Sequence, residues 1–413
     1  MGTPFPFMGR QYNDFMILGV DASQANRKQR SGTEWYAFYL IEEFKRLLGG
    51  RSGVKVRLYV RGALRSDLAN NLPENFEVHI LRWPFRFLWG QLRLSWEMFF
   101  YQPDVLFCPA HTIPLIHPPP SLNPSHQGRE MKRADSSPPV GEVRRGGTYT
   151  TLHDVGFEDY PELYDSLSRV YHRLAARLAI KKAARIFTVS EFSKERICQV
   201  YDYPREKVTV AYPAVDVSRF SQSGAGDGGV LSDLGLKTGE YFLYVGRLEP
   251  KKNILNIIKA YEFLETPHPL VLAGRKVRIS DVEEYLGEQP RLRERVRMLD
   301  YISEDEKRAL LRGASVFLFP TLYEGFGIPI LEAQAAGVPV ITSNTGSNRE
   351  VAGERAVIVD PESPYEISKA VRKITDDKSV RSKLIADGTK NLGRFSWEQS
   401  AKKILEVMLG NNA

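Results

Sequence analysis

Short apolar runs alternate along this chain with longer stretches in which apolar positions recur every three or four residues. The short runs predict buried strands and the longer stretches amphipathic helices, so the pattern reads as α/β with parallel sheets. Candidate strands in the first half are Phe15 to Val20, Val54 to Val60, Phe76 to Ile80, Val105 to Cys108, Tyr149 to Leu152, Arg185 to Val189 and Val208 to Ala211. A second series follows at Tyr241 to Val245, Leu270 to Ala273, Val296 to Leu299, Val316 to Phe319, Val338 to Thr342 and Ala356 to Val359. Val217 to Gly239, rich in Ser, Gly and Asp, reads as a linker between them. Two doubly wound domains are expected, at 1–216 and 217–395, with ligands at the carboxyl ends of the strands and in a cleft between the domains. A terminal helix, 396–413, begins near Ser396, with Gln399 placed to complete a capping box.

One segment breaks the alternation. Pro118 to Gly147 is polar, rich in Pro, Gly, Ser and Arg, and has almost nothing apolar to bury. It is expected to be a solvated, mostly disordered insertion, with a basic acceptor- or membrane-contacting loop as the functional alternative.

Size and composition narrow the class. The 413 residues suit two domains, and 42% hydrophobic with 26% charged residues is ordinary for globular cores. No apolar run is long enough for a transmembrane helix, and Met1 to Gln11 carries too few apolar residues for a secretory signal, so a cytoplasmic location is expected. Cys108 and Cys198 fall in segments that look buried and read as free cytosolic thiols. The net charge of +7 fits anionic substrates or a bilayer surface; no nucleic-acid motif accompanies it, so nucleic acid is not expected as a partner. Trp83, Trp89 and Trp96, interleaved with Arg82, Arg86 and Arg93, form a basic aromatic stretch. It reads either as a core-packing helix or as a peripheral membrane contact.

The chemistry concentrates in Leu322 to Ala333, LYEGFGIPILEA. Pro329 suits the first turn of a helix, since its missing N–H has no partner there anyway. Gly325, Phe326, Gly327 and Ile328 then form a tight loop from an apolar strand into that helix, with Glu324 before the loop and Glu332 in the helix's first turn. The free N–H groups of a helix start suit a diphosphate. Carboxylates beside it are tolerable if they accept hydrogen bonds from sugar hydroxyls, so the segment reads as a nucleotide-sugar site. A second loop, GRLEPKKN at Gly246 to Asn253, follows the strand Tyr241 to Val245. It offers Arg247 and Lys252 to neutralise a departing diphosphate. As a lone charge cluster it would read as a solvated turn.

On these residues the chain resembles the family 4 retaining glycosyltransferases of the GT-B fold. The resemblance covers nearly the whole chain, and the Glu-x7-Glu spacing of Glu324 and Glu332 around the GFG core is its most specific element. It implies that Arg247 and Lys252 grip the diphosphate, that Glu324 holds donor-sugar hydroxyls near the anomeric centre, and that Glu332 takes the ribose. It implies a donor-sugar contact for His153, at the end of the strand Tyr149 to Leu152. Asp154 either orients that ring or caps the next turn. Gly32, in Ser31 to Glu34, matches a glycine-rich loop of the family loosely and equally fits a plain helix start capped by Ser31 or Thr33. Glu350, in Ser343 to Gly353, is either a polar contact near the base and ribose or a surface charge. Ser190 is expected to cap the helix after Val189, a mainly structural role. The resemblance also implies that the terminal segment returns to the first domain, and that 118–147 is an insertion.

The implied activity is transfer of a hexosyl group from a nucleoside diphosphate sugar to a hydroxyl of a saccharide or lipid-linked saccharide, as in cell-surface polysaccharide synthesis. The donor is a substrate, and no cofactor is expected. No His, Cys or Asp cluster has metal-ligand spacing and no Asp-x-Asp motif occurs, so no metal site is predicted. An epimerase or phosphorylase on the same fold would not be expected to carry both motifs. A catalytically inactive nucleotide-sugar-binding or membrane-associated relative would be expected to have lost Arg247, Lys252, Glu324 or Glu332, all of which are present.

Overall fold

The computed structural model describes residues 15–85, 88–118, 147–221 and 226–410. The expected insertion therefore lies, from 119 to 146, outside the described residues. Seven strands form one sheet: β1 Met16–Asp21, β2 Val54–Val60, β3 Phe76–Ile80, β4 Val105–Cys108, β5 Gly147–Thr151, β6 Arg185–Thr188 and β7 Val208–Val210, in the order β3-β2-β1-β4-β5-β6-β7. Six more form a second: β8 Phe242–Val245, β9 Leu270–Ala273, β10 Val296–Leu299, β11 Val316–Phe319, β12 Val340–Ser343 and β13 Val357–Val359, in the order β10-β9-β8-β11-β12-β13. Both sheets are parallel, as in the registers Met16↔Val54 and Phe317↔Val340. The strands differ from their expected bounds by no more than two residues at either end.

The apolar runs explain the parallel arrangement. β4, β8, β9 and β11 are buried at every residue, as strands covered on both faces must be. Their backbone groups are satisfied in the ladder and their Val, Leu and Phe side chains fill the layers between sheet and helices. Contacts divide the chain into two compact units, one of Met1–Thr151, Lys181–Arg185 and Ala401–Ala413, the other of Leu152–Ile180 and Ile186–Ser400.

The expected linker is partly helical. Val217–Ser221 and Asp227–Asp233 are helices, held down by Phe220, Leu231 and Leu236, all buried. Three widely spaced apolar anchors among Gly and Ser give too weak a period to read from the sequence. Of the two free thiols, Cys108 is buried as expected and Cys198 only half-buried. Among the described residues no helix is long and apolar enough to cross a membrane.

The second sheet positions the chemistry. Its order reverses direction between β8 and β11, so the connections leaving these neighbours diverge to opposite faces. A crevice opens at their carboxyl ends, where ligands bind in folds of this kind. The loops after β8 and β11 are GRLEPKKN and the Glu324 to Gly327 turn.

Candidate functional site

The loop after β8 starts with a close backbone approach. Gly246 has φ 154° and Gly274, the residue after β9, has φ 145°. A Cβ on Gly274 would stand 1.9 Å from the Gly246 carbonyl oxygen. The two loops then zip together, Gly246 N–H donating to Ala273 O (3.0 Å), Leu248 N–H to Arg275 O (2.9 Å) and Val277 N–H to Leu248 O (2.7 Å). Pro250–Lys252 makes a single 3-10 turn that ends on Asn253 in the left-handed region, φ 63°. Asparagine tolerates that conformation, and its Nδ2 donates to Pro320 O (2.9 Å) and Pro361 O (2.7 Å). Leu322 N–H donates to Lys251 O at 2.9 Å. These bonds hold the β8 and β11 loops side by side, and the Lys252 ammonium forms an ion pair with Glu324 there.

The Glu324 turn is fixed from several sides. Ser347 donates to Glu324 O from its amide (3.2 Å) and its hydroxyl (3.1 Å). Ser190 Oγ and Ser193 Oγ donate to Gly325 O at 2.7 and 3.1 Å. Ser190 Oγ also accepts from Ser193 N–H at 3.0 Å, so the expected helix cap is present and the same hydroxyl anchors the turn. The His153–Asp154 backbone lies against Gly325: a Cβ on that glycine would be 3.0 Å from His153 O and 2.9 Å from Asp154 Cβ. Thus Arg247, Lys252, Glu324 and the His153 segment meet within one compact unit. Phe326 is buried, its ring 6.1 Å from Tyr212 and 5.5 Å from Phe395, and packs rather than facing solvent.

The helix that follows runs Ile328–Ala335, with Gly327 before it at φ 93° and Pro329 in its second position. Glu332 is therefore the fifth helical residue and lies in the second turn, not the first. Pro329 was expected to open the helix, but Ile328 already has helical geometry and shifts the count. Glu332 pairs with Lys307 at 2.8 Å, and Lys307 reaches Glu304 at 3.1 Å.

Asp154, Glu350 and Gly32 each take a definite place. Asp154 Oδ1 accepts from Gly156 N–H at 2.9 Å, so it caps the following turn. Glu350 accepts from the amides of Glu191 (2.8 Å) and Phe192 (3.0 Å), placing its carboxylate on the first turn of the helix Glu191–Tyr201, where a helix dipole favours it. Gly32 is the first residue of the helix Gly32–Leu48, after Ser31, and a Cβ there would meet nothing. It belongs to the other compact unit.

Sequence reasoning passed over several groups. Lys251 sits 3.8 Å from Glu249 and its ammonium 5.5 Å from the centre of the Tyr164 ring. Burial opposes the Lys251 charge, but Tyr164, Asp154, Glu249 and Glu324 outweigh it and hold the lysine above its ordinary pKa. Lys252 goes the other way: burial, with Lys251 adding repulsion, pulls it below the ordinary lysine value despite Glu324. Burial and the Asp154 charge push Tyr164 up to about 12. Arg247 is the solvent-facing cation, 56% exposed and 3.3 Å from Glu249. Lys307 and Tyr164 carried no local signal, because each reaches the site from a separate element.

His172 stacks on Phe157 at 5.6 Å, and burial lowers its pKa from the ordinary 6.5. A histidine depressed in the native state gives full stability above its unfolded value and loses it as pH falls through the interval down to its folded value. The native protein is thus expected to lose melting temperature more steeply than a His172→Phe variant as pH drops below about 6.5. Melting curves across that range check it; parallel pH profiles would dismiss the effect.

Known proteins align with these elements. Residues 232–391 match the family described as glycosyl transferases group 1, and residues 135–219 match glycosyltransferase family 4. The O-antigen chain mannosyltransferase B of Escherichia coli is 34% identical over 262 residues, which span 62% of this chain and 69% of that protein. The O-antigen chain mannosyltransferase RfbU of Salmonella typhimurium is 28% identical over 224 residues, 54% of this chain and 60% of that protein. Among solved structures, Anabaena HepE in complex with UDP and glucose superposes with a TM-score of 0.67 at 18% identity, covering 95% of this chain and 98% of that one. The chain belongs to the group 1, family 4 glycosyltransferases and has their GT-B fold of two Rossmann-like sheets.

Proposed function

We propose that this glycosyltransferase moves a mannosyl group, with retention of configuration, from a nucleoside diphosphate sugar to a hydroxyl of a saccharide or lipid-linked saccharide. The relatives' O-antigen mannosyltransferase names support mannose and a cell-surface polysaccharide. Such an acceptor would place the reaction in the cytoplasm, at the inner face of the cell membrane. The observation that carries the reading is the Lys252–Glu324 pair, held beside the glycine-capped start of the helix Ile328–Ala335.

In this reading the diphosphate lies against that helix start at the backbone of Gly327 and Ile328, since Pro329 has no N–H and the Ile330 N–H donates to Gly327 O at 3.0 Å. Arg247 and Lys252 take the negative charge that grows on the leaving phosphate. These cations do the work of a metal held by an Asp-x-Asp motif, which the sequence lacks. Glu324 accepts from sugar hydroxyls while keeping Lys252 charged, and His153 positions the sugar from the Gly325 side. The acceptor oxygen attacks the anomeric carbon as the C–O bond to phosphate breaks. Its proton passes to the departing phosphate on the same face. Incubation with nucleoside diphosphate mannoses and an O-antigen acceptor tests this. An α-product from an α-donor, with no sugar covalently retained on the protein by mass spectrometry, is expected; inversion or a trapped glycosyl-enzyme would overturn it.

Glu332 is assigned to the ribose hydroxyls. A Glu332→Gln variant is expected to bind nucleoside diphosphates about 10- to 100-fold more weakly, the range for losing a charged hydrogen-bond acceptor. Titration calorimetry with UDP, GDP, ADP and TDP measures it and identifies the base. Unchanged affinity would leave Glu332 only as the partner of Lys307.

A further inference from the structure

The helix between β3 and β4 is amphipathic the wrong way round. It begins with a π-wound turn, Trp89–Arg93, and continues as Leu94–Phe100. Its buried face holds Trp89, Leu94 and Met98 together with Ser95 and the carboxylate residue Glu97, which is only 8% exposed. Its outer face carries Trp96 at 64% and Phe99 at 65% exposure, followed by exposed Phe100 and Tyr101. A helix facing water normally does the reverse.

The buried polar groups explain why this face is stable. Glu97 pairs with Arg93 at 3.1 Å and approaches His79 at 3.9 Å. Ser95 Oγ accepts from the amides of Leu115 (2.8 Å) and Ile116 (3.3 Å), which fixes those two exposed side chains beside the helix. The Phe100 ring centre lies 5.3 Å from Trp96, 4.9 Å from Phe99 and 6.3 Å from Tyr101, so the aromatic rings are continuous. Contiguous exposed apolar surface of this kind marks an interaction site.

Charge selects the occupant. Glu97 is the only acidic residue from 78 to 103, and it is turned inward. Asp104, next along, accepts from the Ile17 amide at 2.8 Å. Arg82 is exposed, and Arg61 holds the exposed Phe85 by a bond from Nη2 to its carbonyl at 2.6 Å. Glu77, beside His79 and partly exposed, is neutralised by Lys55 (3.4 Å) and Arg57 (3.6 Å). A surface of Trp, Tyr and Phe with arginine in the segment leading into it, and its nearby carboxylates paired, complements anionic headgroups over an acyl boundary. A second copy would bring the same arginines against each other.

We propose that this face docks the protein on an anionic phospholipid bilayer, with Trp96, Phe99, Phe100, Tyr101, Leu115 and Ile116 in the interface. The proposal does not rest on which sugar is transferred and can fail while the transferase reading holds.

The test is flotation of the full chain with vesicles of phosphatidylglycerol and phosphatidylethanolamine, against vesicles of phosphatidylcholine alone. The native protein is expected to float with the first and much less with the second, and to release at high salt. The triple variant Trp96→Ser, Phe99→Ser, Phe100→Ser is expected to lose at least about tenfold in partitioning, since interfacial binding scales with inserted apolar area. Its nucleoside diphosphate binding should stay native, which reports an intact second unit. Should that variant fail to fold, quenching of native tryptophan fluorescence by brominated anionic lipid decides, and absence of quenching overturns the proposal. It is also overturned if the native chain stays unbound, if the folded triple variant floats equally well, or if sedimentation shows that the face mediates self-association instead.

Discussion

A Glu324→Gln variant is expected to lose about 10²–10³-fold in kcat, the usual effect of removing one preorganised charge at a reacting centre. Glu324 has two duties. In the resting protein it neutralises Lys252, whose pKa burial already pulls down. In the proposed reaction it also meets the sugar. The amide retains the shape and removes the charge, so Lys252 is left buried beside Lys251 with less to hold its proton. Breaking one side of such a pair costs about 3–5 kcal/mol when it is fully buried and less where water reaches it. Glu324 and Lys252 side chains are 11% and 12% exposed, so the lower part of that range is expected. A double variant, Glu324→Gln with Lys252→Met, separates the duties. It should regain most of the lost stability and none of the activity. Steady-state rates and denaturant melts on both variants provide the check. Activity of the single variant within about threefold of native would remove Glu324 from the chemistry.

The same pair shows what the sequence made legible. The strands were readable because each is a short, nearly continuous apolar run, the signature of strands covered on both faces. The site loops were readable because glycine, proline and charge stand together where two strands end. What could not be read is how those loops are held. Asn253 reaches Pro320 and Pro361, and Ser190 reaches Gly325, over separations of 67, 108 and 135 residues. Lys307 comes to Glu332 from another helix. Nothing local in a serine or a lysine announces such a partner. The helix Val217–Ser221 was missed for a related reason, since its single buried anchor, Phe220, makes no period. Leu81 to Phe100 could be read as basic and aromatic, but not which rings face outward, because the buried Glu97 inverts the usual rule.

The largest effect on stability is expected from Gly274→Ala, a change of one methyl group. At φ 145° an alanine is strained, by about 1–3 kcal/mol for a backbone held so far from its preferred regions. Its Cβ would also overlap the Gly246 carbonyl oxygen at 1.9 Å, backbone against side chain, with no flexible terminus to yield. The β8 and β9 loops must then part, breaking the bonds that join Gly246 to Ala273 and Leu248 to Arg275 and Val277. A loss of more than about 3 kcal/mol follows from strain and separation together. Arg247 rides on the displaced loop, so nucleoside diphosphate affinity should fall with it. Gly228→Ala is the control: that glycine is inside the helix Asp227–Asp233, at an ordinary φ, with open space around its Cβ. There alanine should be neutral or stabilising by up to about 1 kcal/mol, from helix propensity alone. Paired melts distinguish close backbone approach from a general intolerance of alanine. A Gly274→Ala protein that melts with the native one would show that the two loops are not in contact.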